Sequence, residues 1–555
     1  MAEAPADLLI EGRIATLRGG AGFGWAEAVA IGRGRVMAAG SRAEVAALEG
    51  AGTRRWQLPP TLAVTPSFTD AHLHCASAAL AAEQLDLNGL DRRGVETAVA
   101  EAHRARVDGG DPDGWLLGHG WTLDALGQHP DASWLDETAP GRPVALWSHD
   151  HHSRWLSARA IQLGGLAAMG DPPSGRIERD ADGRPTGVMY ESAAGLVDAC
   201  IPTPTTSDVD WAVGAFARTL AALGVTSVHD PGHVAPDPGL NGGPVHYREM
   251  ARGGHLPLRV TASVREEQLE RAIEIGFRTG ATVEGDERGR YRDGWLKLFS
   301  DGAIGSRTAA LLAPYEPGDP AGPPPAGSSG MLLRTAEQLA EVAGRAAEHG
   351  IASEIHAIGD AAVRTVLDVL ERLPAVDAAM HRVEHAQLID PADVTRFASL
   401  GVPASVQPCH LLSDVEVMGT AWGARCASAF PLATLAASGA LIPFGTDAPV
   451  ESADPWRGLA AAVTRRGAGW GPGEAFYPAE AIGLDRALRG ACLDGPRSAH
   501  VADQGHLDTG TRADLLVVPA TMFDDPGNPD VLAGTRPLLT LLDGEVIFRS
   551  PEADF

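Results

Sequence analysis

The chain reads as an α/β protein built on a (β/α)8 TIM barrel, with a small β-sandwich domain from both termini and a cap-like insertion after the first barrel strand. Three observations lead there. Apolar strand-like runs alternate with Ala/Leu/Glu/Arg-rich helical segments through the middle of the sequence, the signature of parallel βα units. Strand-rich stretches stand at both ends. Polar side chains recur where the apolar runs stop. With 555 residues, the chain is long enough for a large barrel and an accessory domain.

The N-terminal stretch (1–62) runs through "LLIEGRIATLRG" and "AEAVAIGRGRVMAAG", short strands broken by Gly turns. Its partner is the C-terminal stretch (499–555), where "ADLLVVPA" and "PLLTLLDGEVIF" read as strands and Asp543-Gly544 marks a tight hairpin. Eight strand candidates fill the middle: "AVTPSFTDAHLH", "VTSVHDPG", "LRVTASV", "WLKLFSDG", "IASEIHAIGD", "HRVEHAQLI", "VPASVQPCH" and "LIPFGTDAPV". The first opens the barrel at 63–84, and the others fall in 207–498. Between them, 85–206 is too long for one crossover helix. It carries strand-like runs of its own ("GWLLGHGW", "PVALWSHDHHSRW", "PTGVMYES"), and is read as an inserted subdomain capping the barrel mouth.

The formal charge is −27, which argues against a nucleic-acid or anionic-membrane partner. Five scattered cysteines, odd in number and with no CxxC pair, argue against a disulfide framework and fit a reducing cytoplasm. The opening "MAEAPADLLIEGR" lacks a basic-then-apolar leader, and no apolar run reaches about 18 residues, so no membrane span is expected.

The stretch "FTDAHLHC" sets two imidazoles one residue apart. On an extended strand Asp70, His72 and His74 would share a face. That pattern suits a divalent metal, and equally a polar strand end with satisfied histidines. The rest of the chain decides. In a parallel barrel, catalytic groups gather at the C-terminal ends of the strands, and Lys297, His356, His385 and Asp447 each follow an apolar run. The chain between them is long enough for strand-to-strand returns. A protonated Lys297 would repel cations, but a neutral amine reacts with CO2 to form a carbamate, an anion with two oxygens that bridges two metals. Its place inside the apolar "WLKLFSDG" weighs against a surface lysine.

The stretches "PSFTDAHLH", "GHGW", "GRIERDADGRPTGVMYESA", "WLKLFSDGAIGSRTAAL", "EIHAIGDAAV", "RVEHAQLI", "SVQPCH", "PFGTDAPV" and "GHLDTGTRADLLVV" together resemble the amidohydrolase superfamily of metal-dependent hydrolases. Within it they resemble the amidohydrolase 3 group, with YtcJ-like proteins and N-substituted formamide deformylases. Ser67 departs from that group's usual Gly, a change in the turn before the strand rather than in the chemistry. The resemblance implies that His72, His74 and Asp447 hold the more buried metal, and that a carboxylated Lys297 bridges to a second one held by His356 and His385. It implies that Asp447 is the general base, taking the proton of metal-activated water and passing it to the leaving amine. One or two ions are consistent with it, zinc first; imidazole and carboxylate ligands also suit manganese, iron, cobalt or nickel. A homodimer is the family's habit.

Further candidates surround this set. Glu191 in "GVMYESA" either reaches the site or is a solvated acid. His229 and Asp230 end the second strand candidate and are expected to face the mouth and contact substrate. Asp301 and Arg307, on the Gly-rich loop after Lys297, are candidates for polar substrate groups, and Gln407 and His410 for the pocket. His149-Asp150-His151-His152 resembles a metal tract but lies in the insertion. Trp115, Trp121 and Trp155 read as core, and Cys75 as packing directed away from the histidines. The activity these residues point to is hydrolysis of an amide or formamide C–N bond in a small molecule. A deaminase, a carbamate or cyclic-amide hydrolase, and a non-catalytic regulatory member are the alternatives.

Overall fold

Strands buried on both faces read as continuous aliphatic runs, because helices cover both sides of a parallel sheet. Seven largely buried strands pair side by side here, with polar residues among the apolar ones: β1 (Phe68–Asp70), β2 (Val225–Asp230), β3 (Arg259–Arg265), β4 (Tyr291–Phe299), β5 (Ser353–Ala357), β6 (Arg382–His385) and β7 (Ala404–Ser405). All neighbours in this order are parallel. The structure is a computed structural model that describes residues 5–554 except 112, 149–152, 173–174, 192, 233–242, 306 and 317–326. It is mixed α/β and divides into two units, Met1–Ala78 with Val213–Phe555, and Ala79–Ala212.

The eighth candidate, "LIPFGTDAPV", touches both edges of this sheet through isolated main-chain bonds. Val406 bridges Phe444 in parallel, and Ala404 N and Val406 N donate to Leu441 O (3.0 Å) and Pro443 O (2.9 Å). On its other side Ala71 N donates to Phe444 O at 2.8 Å, just past β1. Pro443 has no N–H to give, which limits a continuous ladder here.

The stretch read as one long first strand divides in two. Leu62–Pro66 joins a different, eight-stranded sheet, antiparallel to Leu515–Pro519 and parallel to Leu8–Ala15. Only Phe68–Asp70 enters the parallel sheet. Ser67 is the hinge between them: its amide donates to Asp514 O (3.1 Å), and its hydroxyl meets that of Thr226 on β2 at 2.6 Å. An unbroken apolar run carries no mark of a change of sheet.

That second sheet takes strands from both termini, in the order Glu545–Arg549, Leu539–Leu542, Leu515–Pro519, Leu62–Pro66, Leu8–Ala15, Trp25–Gly32 and Arg35–Gly40. Arg54–Gln57 also pairs with Leu8–Ala15. Asp543 and Gly544 form the two-residue loop of its last hairpin with φ of 52° and 73°, the left-handed pair that favours Asp-Gly. Its core is aliphatic: Leu8, Ile10, Ile14, Val29, Val64, Leu515, Val517, Leu539 and Leu541 are all buried.

The unit Ala79–Ala212 has its own six-stranded sheet, in the order Gly175–Arg179, Pro185–Glu191, Ser153–Leu156, Val144–Ser148, Leu116–Trp121 and Leu85–Asp86. Helix Arg92–Asp108 begins where the Asp91 side chain accepts from Gly94 N, a capping interaction. Trp121, Trp134 and Trp155 pack edge to face within its core, and Trp115 packs against the neighbouring cluster. Trp121 and Trp155 are therefore core, and Trp115 is half-buried at the edge of its cluster. Among the described residues, no helix is long and apolar enough to cross a membrane.

Candidate metal centre

Strand register sorts the polar side chains of the parallel sheet into rows. Lys297 pairs with Glu354 and Glu354 with Arg382; further along, Phe299 pairs with His356 and His356 with Glu384. Lys297, Glu354, Arg382 and Glu384 are buried, none more than 1% exposed. Ionisable groups are almost never so deep unless paired.

His72 and His74 lie just beyond the end of β1 rather than on the strand, so the alternation that would set Asp70 beside them stops short. Asp70 instead clamps the turn. Its carboxylate accepts from His72 N (3.2 Å), Thr446 N (3.0 Å) and the Thr446 hydroxyl (2.6 Å), while burial pushes its pKa up to about 7. Gly445 lets the next segment approach: a Cβ there would sit 2.6 Å from His72 N and 2.7 Å from His72 Cβ.

Asp447 follows, with φ 61°, its amide donating to His72 O at 2.7 Å. Its Oδ1 lies 3.2 Å from His74 Nε2 and 3.5 Å from His72 Nε2, and its Oδ2 3.3 Å from His410 Nε2. Burial opposes its charge, but the imidazoles of His410 and His74 beside it outweigh that and hold its pKa well below the usual carboxylate range. His385 arrives by a similar backbone device. Neighbours on a strand face opposite sides, yet φ of 72° at His385 and 43° at Ala386 turn its ring to 5.0 Å from that of His72 and 4.5 Å from that of His356. Left-handed backbone at non-glycine residues is strained and collects at functional sites.

Hydrogen bonds select which ring nitrogens face the cluster. His72 Nδ1 meets Glu384 Oε2 at 2.5 Å, His74 Nδ1 meets Gly232 O at 2.5 Å, and His385 Nδ1 meets Gln407 Oε1 at 2.8 Å. Each leaves Nε2 as the remaining nitrogen. His356 is reversed, with Nε2 3.1 Å from Gly302 O, leaving Nδ1. Ligand atoms of His72, His385 and Asp447 all lie within 4.8 Å of one another. Burial keeps the pKa of His72 and His385 below the ordinary histidine value, which favours the neutral imidazole a metal requires. Lys297 Nζ stands 3.5 Å from His72 Nε2 and 5.1 Å from the Phe299 ring centre; burial lowers its pKa too. Buried imidazoles and a carboxylate converging in this way form a donor set that fits a divalent cation.

Of the other candidates, Gln407 and His410 adjoin the cluster through His385 and Asp447. His229 lies inside the sheet, its Nδ1 3.0 Å from Arg382 Nη1 and its ring 5.2 Å from that of Trp295. Asp230, one residue further along the strand, accepts from the Tyr247 hydroxyl of helix Pro244–Arg252 at 2.7 Å and from Gly232 N at 2.8 Å. Cys75 lies with that pair, its thiol pKa raised chiefly by burial and further by Asp230. Asp301 anchors its loop, with Oδ1 also 3.4 Å from His356 Nε2. It is 1% exposed and accepts from Ala310 N (2.9 Å), Ile358 N (3.1 Å) and Gly359 N (2.9 Å), tying the loop after β4 to the end of β5. Arg307 is half-buried on that loop with φ 51°. Glu191 ends a strand of the other unit, opposite Gly175, and its side chain lies outside the described residues, as does the run His149–His152. Glu354, Arg382 and Glu384 were not anticipated. Their signal was present all the same, as charges at alternate positions inside "SEIHA" and "RVEH".

Fold and donors together define a mixed α/β chain with a candidate metal centre at the C-terminal ends of parallel strands. The profile of the amidohydrolase family matches residues 62–548, and the chain belongs to that family. It is 29% identical to YtcJ of Bacillus subtilis (strain 168) over 502 residues, 87% of this chain and 88% of that protein. It is 26% identical to N-substituted formamide deformylase of Arthrobacter pascens over 515 residues, 90% and 91% of the two chains. A crystal structure of an uncharacterized metal-dependent hydrolase from Pyrococcus furiosus superposes with a TM-score of 0.73 at 27% identity, covering 92% of this chain and 98% of that one.

Proposed function

We propose that the protein is a metal-dependent hydrolase that cleaves an amide or formamide C–N bond of a small molecule. The observation that carries this reading is the setting of Asp447, a buried carboxylate within 3.2–3.5 Å of the imidazoles of His72, His74 and His410. Family membership and the formamide deformylase relative support the bond class. The proposed architecture is a closed (β/α)8 barrel carrying the two-termini β-sandwich and a capping insertion; the main-chain bonds of residues 441–446 to both sheet edges support the closure.

In this reading His72, His74 and Asp447 would hold the more buried cation, zinc first, and His356 and His385 a second one where Lys297 is carboxylated. When bound, the metal supplies a Lewis acid that acidifies water and polarises a carbonyl. Asp447 is kept ionised by its imidazole neighbours, so its carboxylate takes a proton from the attacking water and returns it to the leaving nitrogen. His410, on Oδ2, orients that carboxylate. Burial lowers the pKa of Lys297 from the ordinary lysine value, the direction that favours the neutral amine a carbamate requires, and this supports a carboxylated lysine.

Elemental analysis of the purified protein, with a screen of N-substituted formamides, acyl amines and cyclic amides, tests the proposal. Bound divalent metal and release of an amine are expected. A metal-free protein that hydrolyses these compounds, or a metal-loaded one that turns over none of them, would overturn it.

A further inference from the structure

Of the three candidate ligand imidazoles that present Nε2 to the centre, two rest on neutral acceptors, the Gly232 carbonyl and the Gln407 side chain. Only His72 rests on a carboxylate, Glu384. That carboxylate is itself held. Its Oε1 lies 2.5 Å from Arg382 Nε, a close ion contact without hydrogen-bond alignment. The same guanidinium binds Glu354 through Nη2 and donates to Ala71 O at 3.1 Å, in the turn that carries His72. Its face packs on Trp295 at 3.9 Å. Arg382, Glu354 and Glu384 are all fully buried, so little freedom remains. Two carboxylates share one guanidinium, and Glu384 presents its other oxygen to His72.

Building on the metal-centre reading above, we propose that Glu384 is a positioning residue: braced by Arg382, it fixes the His72 ring with Nε2 toward the cation and strengthens that nitrogen as a donor, setting how tightly the metal is retained. A carboxylate behind a ligating imidazole fixes its tautomer and raises its basicity, and loss of such a partner typically costs about 10–100-fold in metal affinity. Purely structural burial of Glu384 would predict another outcome. Removing one partner of a buried ion pair lowers stability, with no particular effect on metal affinity in whatever protein folds.

The test uses the full chain with Zn2+ alone, titrated against a chromogenic chelator, for wild type, Glu384→Gln and Glu384→Ala. Glutamine keeps the volume and an acceptor while removing the charge. Thermal melts and circular dichroism establish that each variant is folded. Affinity is expected to fall by about 10-fold in Glu384→Gln and toward about 100-fold in Glu384→Ala. Excess Zn2+ should restore kcat in Glu384→Gln, with KM unchanged. Folded variants that hold Zn2+ as tightly as wild type would overturn the inference while leaving the hydrolase reading intact. Failure of both variants to fold would also overturn it, assigning Glu384 to the core. A wild type that binds no metal would instead bring down the hydrolase reading, and this inference with it.

Discussion

Two interiors of this chain make opposite use of burial. The sheet built from both termini encloses Leu8, Ile10, Val29, Val64, Leu515, Val517 and Leu539, without a charge among them. The parallel sheet encloses Arg382, Glu354, Glu384 and Lys297 beside His72, His229 and Trp295. The first arrangement is the ordinary source of stability, apolar area removed from water. The second is costly, since buried ions repay their desolvation only when well paired. In the proposed reading, the charged interior is there for the cation it holds.

The contrast is broken most sharply at the cluster itself. Asp447→Asn keeps the shape but removes the charge that faces three imidazoles, and kcat should fall by about 10²–10⁴-fold, with thermal stability near wild type. His72→Ala should abolish turnover as well. Steady-state assays on folded, metal-equilibrated variants check both, and undiminished rates in either would refute the assigned roles.

Next in size is Arg382→Met, which leaves Glu354 and Glu384 buried without their shared cation. A loss of roughly 3–5 kcal/mol is expected, read as a shift in the denaturation midpoint; an unchanged midpoint would mean that the guanidinium is dispensable. In the other interior, Leu515→Ala should cost about 2–5 kcal/mol through cavity formation while leaving zinc affinity untouched. A weakened metal site in that variant would erase the distinction between the two cores. The smallest effect belongs to the surface of the other unit. Glu96→Ala removes an exposed partner 2.7 Å from Arg92, and about 0.3–0.5 kcal/mol is expected, with activity unaltered.

The same contrast explains what was legible in the sequence. Asp543-Gly544 announced its hairpin, because only that dipeptide class tolerates two left-handed residues at low cost. His72, His74, Lys297, His356, His385 and Asp447 stood out because a polar group closing an apolar run is conspicuous. Their convergence was read as a pattern, not as geometry. His385 shows the limit: strand parity sends it away from the cluster, and the positive φ that brings it back leaves no trace in residue type. Asp301 stood out as a carboxylate on a Gly-rich loop, but two of its three amide donors, Ile358 N and Gly359 N, come from a segment distant in sequence. Glu354, Arg382 and Glu384 were passed over for a related reason. A charge inside a strand means something only once its partner on the next strand is known, and register between strands separated by helices is not written locally. The division between Leu62–Pro66 and Phe68–Asp70 was likewise hidden inside one apolar run.

The account rests on the charged interior holding a cation among His72, His385 and Asp447. Anomalous diffraction from crystals equilibrated with Zn2+ tests this most directly. The predicted result is a peak within bonding distance of His72 Nε2 and the Asp447 carboxylate, lost in Asp447→Asn; zinc-equilibrated crystals with no peak there would contradict it.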